Sequence, residues 1–536
     1  MGIATLPTDA KVIFARDGKT ATVTVHELGG IVAISTNGKP DAGLQMEAAA
    51  QHAPDETTGV LAAAIPLSMR PDATRVANIG FGSGLTTHTL LASPRLRHLD
   101  TIEIEPVMVE GARRAFMPRI KDVFEDPRSH IIYEDAKTFF AASPEPYDLI
   151  VSEPSNPWVS GVANLFSDEF YGRLVQYLRP DGCLVQWVQI YETDIRVVAS
   201  IIKALKRHFG AYAIYNLNDL DILIVATRAA AFPAASEQFL QWPQMHAELD
   251  RVGVQSLADL RSRLIGDDRI VGPMFDGLPV PVNSDFFPFV DLNAPRLRFM
   301  ATNAFSLTGL TSLPVPVLDI LRADAPSGPT LDPSQHSTVA RDVLVRRALA
   351  IRRAVSSGRL DDLDTVGAVT MLLLRTSTAQ CADPQVQDTW KTGVRNVGAM
   401  TATYLSIAEL ADLWSNIRST PCYRDVDGPH KAWADLLAAV AARNAKEIAS
   451  GAAQLMAASP APSPEERTYL TSALASAYLR LGQTRQADEL LARQWDQLDH
   501  RGEFGLSLNE LRALAQVSDN RTLADGRAAG SDPPGT

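Results

Sequence analysis

Four places in the first half of the chain combine a residue type and a position that could do chemistry. In "VANIGFGSGLTTHTLL", Gly80, Gly82 and Gly84 stand where an apolar run gives way to helical spacing. Such a turn must bend sharply and let a ligand reach the backbone with no Cβ in the way. Leu85 sits where a dinucleotide-binding GxGxxG turn carries its third glycine, so the GxGxG form, with Ser83 inside it, points to an S-adenosylmethionine type of turn. The next run, "LDTIEIEP", ends on Glu103 about twenty residues on, where a carboxylate can accept from both ribose hydroxyls. Glu105 precedes Pro106 and reads as a helix start. "YEDAKTFF" puts Asp135 at a third strand end, able to receive an adenine amino group or to cap the following helix. "YDLIVSEPSNPWVSGVANLFSDEFY" ends a fourth run on Glu153. A primary amine is protonated near neutral pH and needs a proton acceptor before it can attack, and Glu153 could be that acceptor. Its structural alternative is to cap the backbone turn around Pro154.

These ends must be positioned by a common scaffold. From Arg75 to about Ala226 strand-like runs alternate with helical spacing, which predicts a parallel sheet with crossover helices. "AYAIYN" and "DILIVA" follow one another with no room for a helix, predicting the antiparallel hairpin with which methyltransferase-type sheets finish. Ligands of open α/β sheets bind outside the carboxyl ends of the strands. The fold class expected is therefore α/β: a Rossmann-like sheet of S-adenosylmethionine methyltransferase type, with a small N-terminal β domain and a C-terminal α-helical domain. The boundaries read as an antiparallel β unit at 8–45, the catalytic-type domain at 46–230, a mixed extension at 231–312, a proline-rich linker at 313–333, helices at 334–523 and a disordered tail at 524–536. "ALASAYLRLGQTRQADELLARQW" is spaced like one tetratricopeptide-type helix pair, an irregular helical bundle being the alternative.

Length and charge narrow the classes. At 536 residues the chain needs more than one core. A formal charge of -12 argues against a nucleic-acid binder, which needs clustered Lys and Arg to neutralise phosphates. No apolar stretch is long enough to span a bilayer and no secretory leader opens the chain, so a cytoplasmic location is expected. Cys183, Cys381 and Cys422 have no metal-type spacing, so no metal is expected, and Cys381 and Cys422 are expected to stay unpaired.

The order of glycine turn, "EIEP", "DPR", "ED" and "YDLIVSEPSNPWVSGVANLFSDEFY" resembles spermidine synthase and its relatives, the polyamine aminopropyltransferases. In particular it resembles the bacterial spermidine-synthase-like branch often fused to a membrane transporter-like region. The resemblance runs from about Lys11 to Phe299 and leaves out the helical part. It implies that Glu103 holds the ribose and Asp135 the adenine of decarboxylated S-adenosylmethionine, with Glu153 at the family's amine-deprotonating position. It also implies an amine acceptor, a homodimer, and a membrane component fused to or associated with the chain.

The chain departs from that pattern at specific residues. The family's acid after the second glycine is Ser83 here, which makes intact S-adenosylmethionine a candidate donor. The second acid of the family's loop is Asn156, neutral but able to hydrogen-bond. The family's Tyr-Gln pair falls on Thr58 and Gly59, with Asp55 as a candidate replacement charge. Trp158, Gln186 and Gln189 are further candidate substrate contacts, and Trp187 lies beside them. The leading expectation is aminopropyl transfer to an amine with Glu153 as general base. The alternatives are an S-adenosylmethionine-dependent methyltransferase or cyclase/lyase, and a non-catalytic nucleotide-binding scaffold whose helical region recruits a protein partner.

Overall fold

A computed structural model describes residues 10–528 other than 49, 143–144, 323–329, 331–339, 376–380, 382 and 427. The chain divides into two compact units, Met1–Asp268 with Leu278–Phe305, and Arg269–Gly277 with Ser306–Thr536.

The first unit opens with four antiparallel strands in sequential order: β1 (Lys11–Asp17), β2 (Thr22–Leu28), β3 (Ile31–Thr36) and β4 (Lys39–Gln45). Val23, Val25, Val32 and Ile34 point inward by the two-residue strand period and join the main core. Helix α1 spans Pro54–Met69. Pro54 suits the first helical position, where no amide partner is needed, and Glu56 Oε1 reaches back to accept from the Ala53 and Gln45 amides at 2.9 and 2.8 Å.

The second sheet has the order β12-β10-β11-β9-β8-β5-β6-β7. Its strands are β5 (Arg75–Ile79), β6 (His98–Glu103), β7 (Ser129–Tyr133), β8 (Tyr147–Ser152), β9 (Leu178–Gln189), β10 (Ala211–Asn218), β11 (Asp221–Thr227) and β12 (Leu264–Asp267). β5 through β9 run parallel, linked by α2 (Leu85–Leu91), α3 (Pro106–Glu125), α4 (Ala136–Ala142) and α5 (Asp168–Leu174). After α6 (Ile195–Leu205), β10 and β11 close the sheet as the antiparallel hairpin expected. This is the Rossmann-like arrangement of a methyltransferase-type sheet. Helix α3 contains Pro118, whose ring removes an amide donor and crowds the preceding turn, and a non-helical residue follows at Ile120.

A charged network ties α1, α2 and α3 to the helix Pro243–Arg251. Arg119 bonds Glu56 at 3.0 Å and Glu248 at 2.8 Å, while His88 meets Asp122 and Glu248. Burial alone would push the His88 imidazole down, but the two carboxylates raise it to about 9. A free histidine titrates near 6.5, so this contribution is fully present below about pH 6.5 and disappears as pH rises through about 9. The expected result is that His88→Gln lowers unfolding stability by about 3 kcal/mol at pH 6 and much less at pH 9.5. Denaturant midpoints of both proteins at the two pH values check it, and an equal loss at both would remove the charge from the account.

The second unit is helical, from Ser306–Gly309 to Gly502–Ala528, around a core that includes Trp390, Val394, Leu413 and Ile417. Residues 313–333, expected as a linker, include the helix Val317–Arg322, and 323–329 and 331–333 lie outside the described residues. Helices Pro464–Arg480 and Thr484–Gln494 meet at Gly482, whose positive φ of 72° suits a helix C-terminus. Of the expected tail, 524–528 continue the helix Gly502–Ala528, and 529–536 lie outside the described residues. Residues 8 and 9 of the expected β unit also lie outside them. One expectation is corrected: Cys381 and Cys422 are joined in a disulfide, with Cα atoms 5.2 Å apart. Helix packing brings two buried thiols together that the sequence separates by 41 positions, and spacing along the chain carries no sign of that.

Candidate active site

The four chemistry-bearing ends lie side by side, because β8, β5, β6 and β7 are neighbours in the sheet. All three glycines of the turn have positive φ, 94° at Gly80, 51° at Gly82 and 82° at Gly84. At Gly80 the reason is direct: a Cβ would lie 2.3 Å from the carbonyl oxygen of Glu153. The same residue therefore permits the turn and seats the tip of β8. Ser83 is buried, its hydroxyl accepting from the Leu85 amide at 3.4 Å.

Glu103 is buried behind the turn. Its Oε2 accepts from the Phe81 amide at 3.0 Å and its Oε1 from the Glu105 amide at 2.8 Å. Burial pushes this carboxyl up to about 7, helped by Asp41 and Glu105 and resisted by the two amides. Each carboxylate oxygen can accept more than one hydrogen bond, so both keep capacity for hydroxyl donors. Glu105 is the helix start that was expected: it accepts from Val107 at 3.0 Å, and also from the Thr20 amide and hydroxyl at 2.7 and 2.8 Å. Those bonds outweigh burial and lower its carboxyl. Asp135 caps α4 through Oδ2, accepting from the Thr138 amide at 2.9 Å.

Glu153 follows directly on the end of β8. Its amide donates to the Ile79 carbonyl at 2.9 Å, and the Thr86 hydroxyl near its side chain resists the upward shift of the carboxyl. Burial, then the charge of Asp221, raise its carboxyl to about 7. Asp55, in the first turn of α1, opens toward solvent, yet the surrounding protein and Asp221 lift it to about 7 as well. Gly59 lets α1 approach α2 closely, since a Cβ there would lie 3.3 Å from Thr86 Oγ1. Thr58 beside it donates to Asp221 at 2.8 Å.

The loop after Glu153 is built around Tyr191. Asn156 is fully buried and donates to the Tyr191 hydroxyl at 3.0 Å. Trp158 packs edge-on against Tyr191 at 6.1 Å, with Lys39 at 5.9 Å and Arg298 at 5.0 Å from its ring centre. Lys39 is paired with Asp41 at 3.0 Å. The two glutamines of β9 part company. Gln186 faces the side of α5, where Tyr171 donates to its Oε1 at 3.3 Å and its Nε2 donates to the Ser152 and Trp187 carbonyls. Gln189 faces the side of α1 and pairs in register with Asp221.

Sequence reading did not single out Asp221, Tyr191, Lys39 or Asp41. Asp221 had a usable signal, an acid opening a strand at the ligand-binding edge of the sheet. The others come from the small β unit and from a loop, and only the fold brings them in.

The fold and these acid-bearing strand ends define a Rossmann-like unit of methyltransferase type. Within it, residues 60–218 match the spermine/spermidine synthase domain family. The polyamine aminopropyltransferase of Alkaliphilus oremlandii is 33% identical over 143 residues, 27% of this chain and 48% of that one. That of Lachnospira eligens is 34% identical over 121 residues, 23% of this chain and 42% of the other. The chain thus spans about half the length of the curated relatives it matches. Among solved structures, spermidine synthase from Thermotoga maritima aligns over 41% of this chain and 74% of its own at 17% identity, with a TM-score of 0.34. The matched segment contains the glycine turn, Glu103, Asp135 and Glu153, and stops short of Asp55, Thr58 and Asp221.

Proposed function

We propose that the first unit transfers an aminopropyl group from decarboxylated S-adenosylmethionine to an amine. The observation that carries this reading is that Glu103, Asp135 and Glu153 end three neighbouring strands around the glycine turn, while Asp221 is bonded to Thr58 of α1 and its charge raises Glu153 and Asp55. Such a set of acids favours ligands bearing positive charge, and both the sulfonium donor and an ammonium acceptor are cations. Glu103, with Asp135 as its companion one strand further on, would hold the nucleoside. Glu153 would take a proton from the acceptor nitrogen. The nitrogen then forms a bond to the propyl carbon next to sulfur, the carbon–sulfur bond breaks, and its electron pair leaves with the neutral thioether nucleoside. A carboxyl near 7 is suited to the task, because a base works best when its pKa lies near the working pH. Holding both reactants in one cleft supplies most of the acceleration.

One observation favours a second reading. Ser83 offers no charge to a donor's amino group, which leaves intact S-adenosylmethionine usable in methyl transfer, cyclisation or elimination. Identifying the nucleoside product separates the two. Methylthioadenosine formed from the decarboxylated donor only when an amine is present supports aminopropyl transfer. S-adenosylhomocysteine, or methylthioadenosine formed from the intact donor without an acceptor, overturns it.

A further inference from the structure

Pro154 and Pro157 leave the segment after Glu153 short of amide donors, so side chains must fix its course. Ser155 donates to Asp41 at 2.9 Å, Asn156 donates to the Tyr191 hydroxyl at 3.0 Å, and Trp158 packs edge-on against Tyr191. The backbone adds the Val159 amide on the Asn156 carbonyl at 2.9 Å, and the Val162 amide on Val159 at 3.1 Å.

Trp158 is half-buried and draws two cations, Lys39 at 5.9 Å and Arg298 at 5.0 Å from its ring centre. The face of an indole attracts cations, and a guanidinium suits it well because it is planar and weakly hydrated. Two like charges can share one ring here because each has an acid of its own. Lys39 has Asp41 at 3.0 Å, and Arg298 has Glu192 at 3.7 Å. The second pair is beyond hydrogen-bond distance, so the ring is the better-fitted contact of Arg298.

The two cations differ in what else they do. Lys39 lowers both Asp55 and Asp221, so it belongs to the acid set directly. Arg298 lies in the last turn of the helix Phe289–Phe299, outside the segment that matches the family. The chain just beyond that helix is tied beside Tyr191, where the Thr193 amide donates to Thr302 at 3.1 Å and the Ala304 amide to Ile190 at 2.8 Å. An arginine at a helix end is ordinarily there to offset the helix dipole, and that role does not call for a ring beneath it. We propose that Arg298 is a positioning residue: standing over Trp158, it fixes the segment 154–161 and, through it, the place of Glu153. Its effect on rate rests on the aminopropyl-transfer reading, while its effect on the segment does not.

Arg298→Met keeps the length of the side chain and removes its charge. In the full chain without ligand, hydrogen exchange of the Val159 and Val162 amides is expected to quicken about threefold or more, with the Glu153 amide, bonded into the sheet, unchanged. With decarboxylated S-adenosylmethionine and diaminobutane, kcat should fall about three- to tenfold while the donor KM moves less than about twofold. Arg298→Lys, which keeps a cation, should retain most of the rate. Trp158→Leu should show the same loss, and adding Arg298→Met to it should cost less than about twofold more, because the two residues form one contact. Glu192→Gln should behave like the wild type. Arg298→Gln carries the comparison should Arg298→Met fail to fold. Unchanged exchange in Arg298→Met, losses that add in full in the double variant, or Glu192→Gln reproducing Arg298→Met overturns the inference, as does quickened exchange with unchanged kcat. If the wild type transfers to no amine, the functional reading fails and exchange alone decides: quickening at Val159 and Val162 supports the clamp, and its absence overturns it.

Discussion

Glu153→Gln is expected to cut transfer by about a thousandfold while leaving donor affinity within about threefold, because the change removes a proton acceptor and little else. The residue's amide and carbonyl are fixed against Ile79 and Gly80, so the strand tip has no reason to move. Glutamine has almost the shape of glutamate and keeps the same neighbour in Thr86. What disappears is the ability to take a proton from an attacking ammonium. The pH profile provides an independent view of the same event. A carboxyl near 7 is protonated and inactive below that value and charged above it, so kcat/KM for the acceptor should rise as pH increases through about 7 and then level off. Asp221 raises Asp55 as well, so the limb belongs to the interacting set and not to one residue. Steady-state rates from pH 5.5 to 8.5, with calorimetry of the donor, check both statements. A variant that turns over within tenfold of the wild type would take Glu153 out of the chemistry.

How much of this was legible in the sequence depends on where each residue's neighbours come from. Four of the parallel strands, β5 to β8, are short apolar runs that end in or lead into glycine or acid, so their identity and their shared edge could be read one segment at a time. Glu103, Asp135 and Glu153 hang on three of those ends, and adjacency followed from the strand order. Asp221 and Lys39 belong to the site because a hairpin and a separate β sheet fold against it, and neither local pattern records that meeting. β12 is four residues long and has no periodicity to notice. The glutamines of β9 are instructive in another way. Positions 186 and 189 differ by an odd number, and in a regular strand that puts them on opposite faces. Both were grouped as substrate contacts, although parity alone separates Gln186, enclosed with Tyr171, from Gln189, opposite Asp221.

The glycine turn allows the backbone itself to be tested. Gly80→Ala is expected to lower stability by about 3 kcal/mol or more and to weaken donor binding at least about tenfold. Two penalties coincide at this residue. Its φ of 94° is a conformation that a side chain disfavours by about 1–2 kcal/mol. The added Cβ would also fall 2.3 Å from the Glu153 carbonyl oxygen, which is backbone and cannot swing aside. Nor can the turn retreat, since the Gly80 amide donates to Ile102 at 2.9 Å and its carbonyl accepts from Asn78 at 3.1 Å. Relief must come from shifting the tip of β8, which moves Glu153 relative to the glycine turn. Gly253→Ala isolates the first penalty: its φ is 71°, and nothing lies within 4 Å of the position a Cβ would take. That variant should lose only about 1–2 kcal/mol and bind the donor normally. Denaturant midpoints and donor calorimetry on the two variants separate the terms. Equal destabilisation with unchanged donor binding would mean that Gly80 serves the turn alone and does not couple it to Glu153.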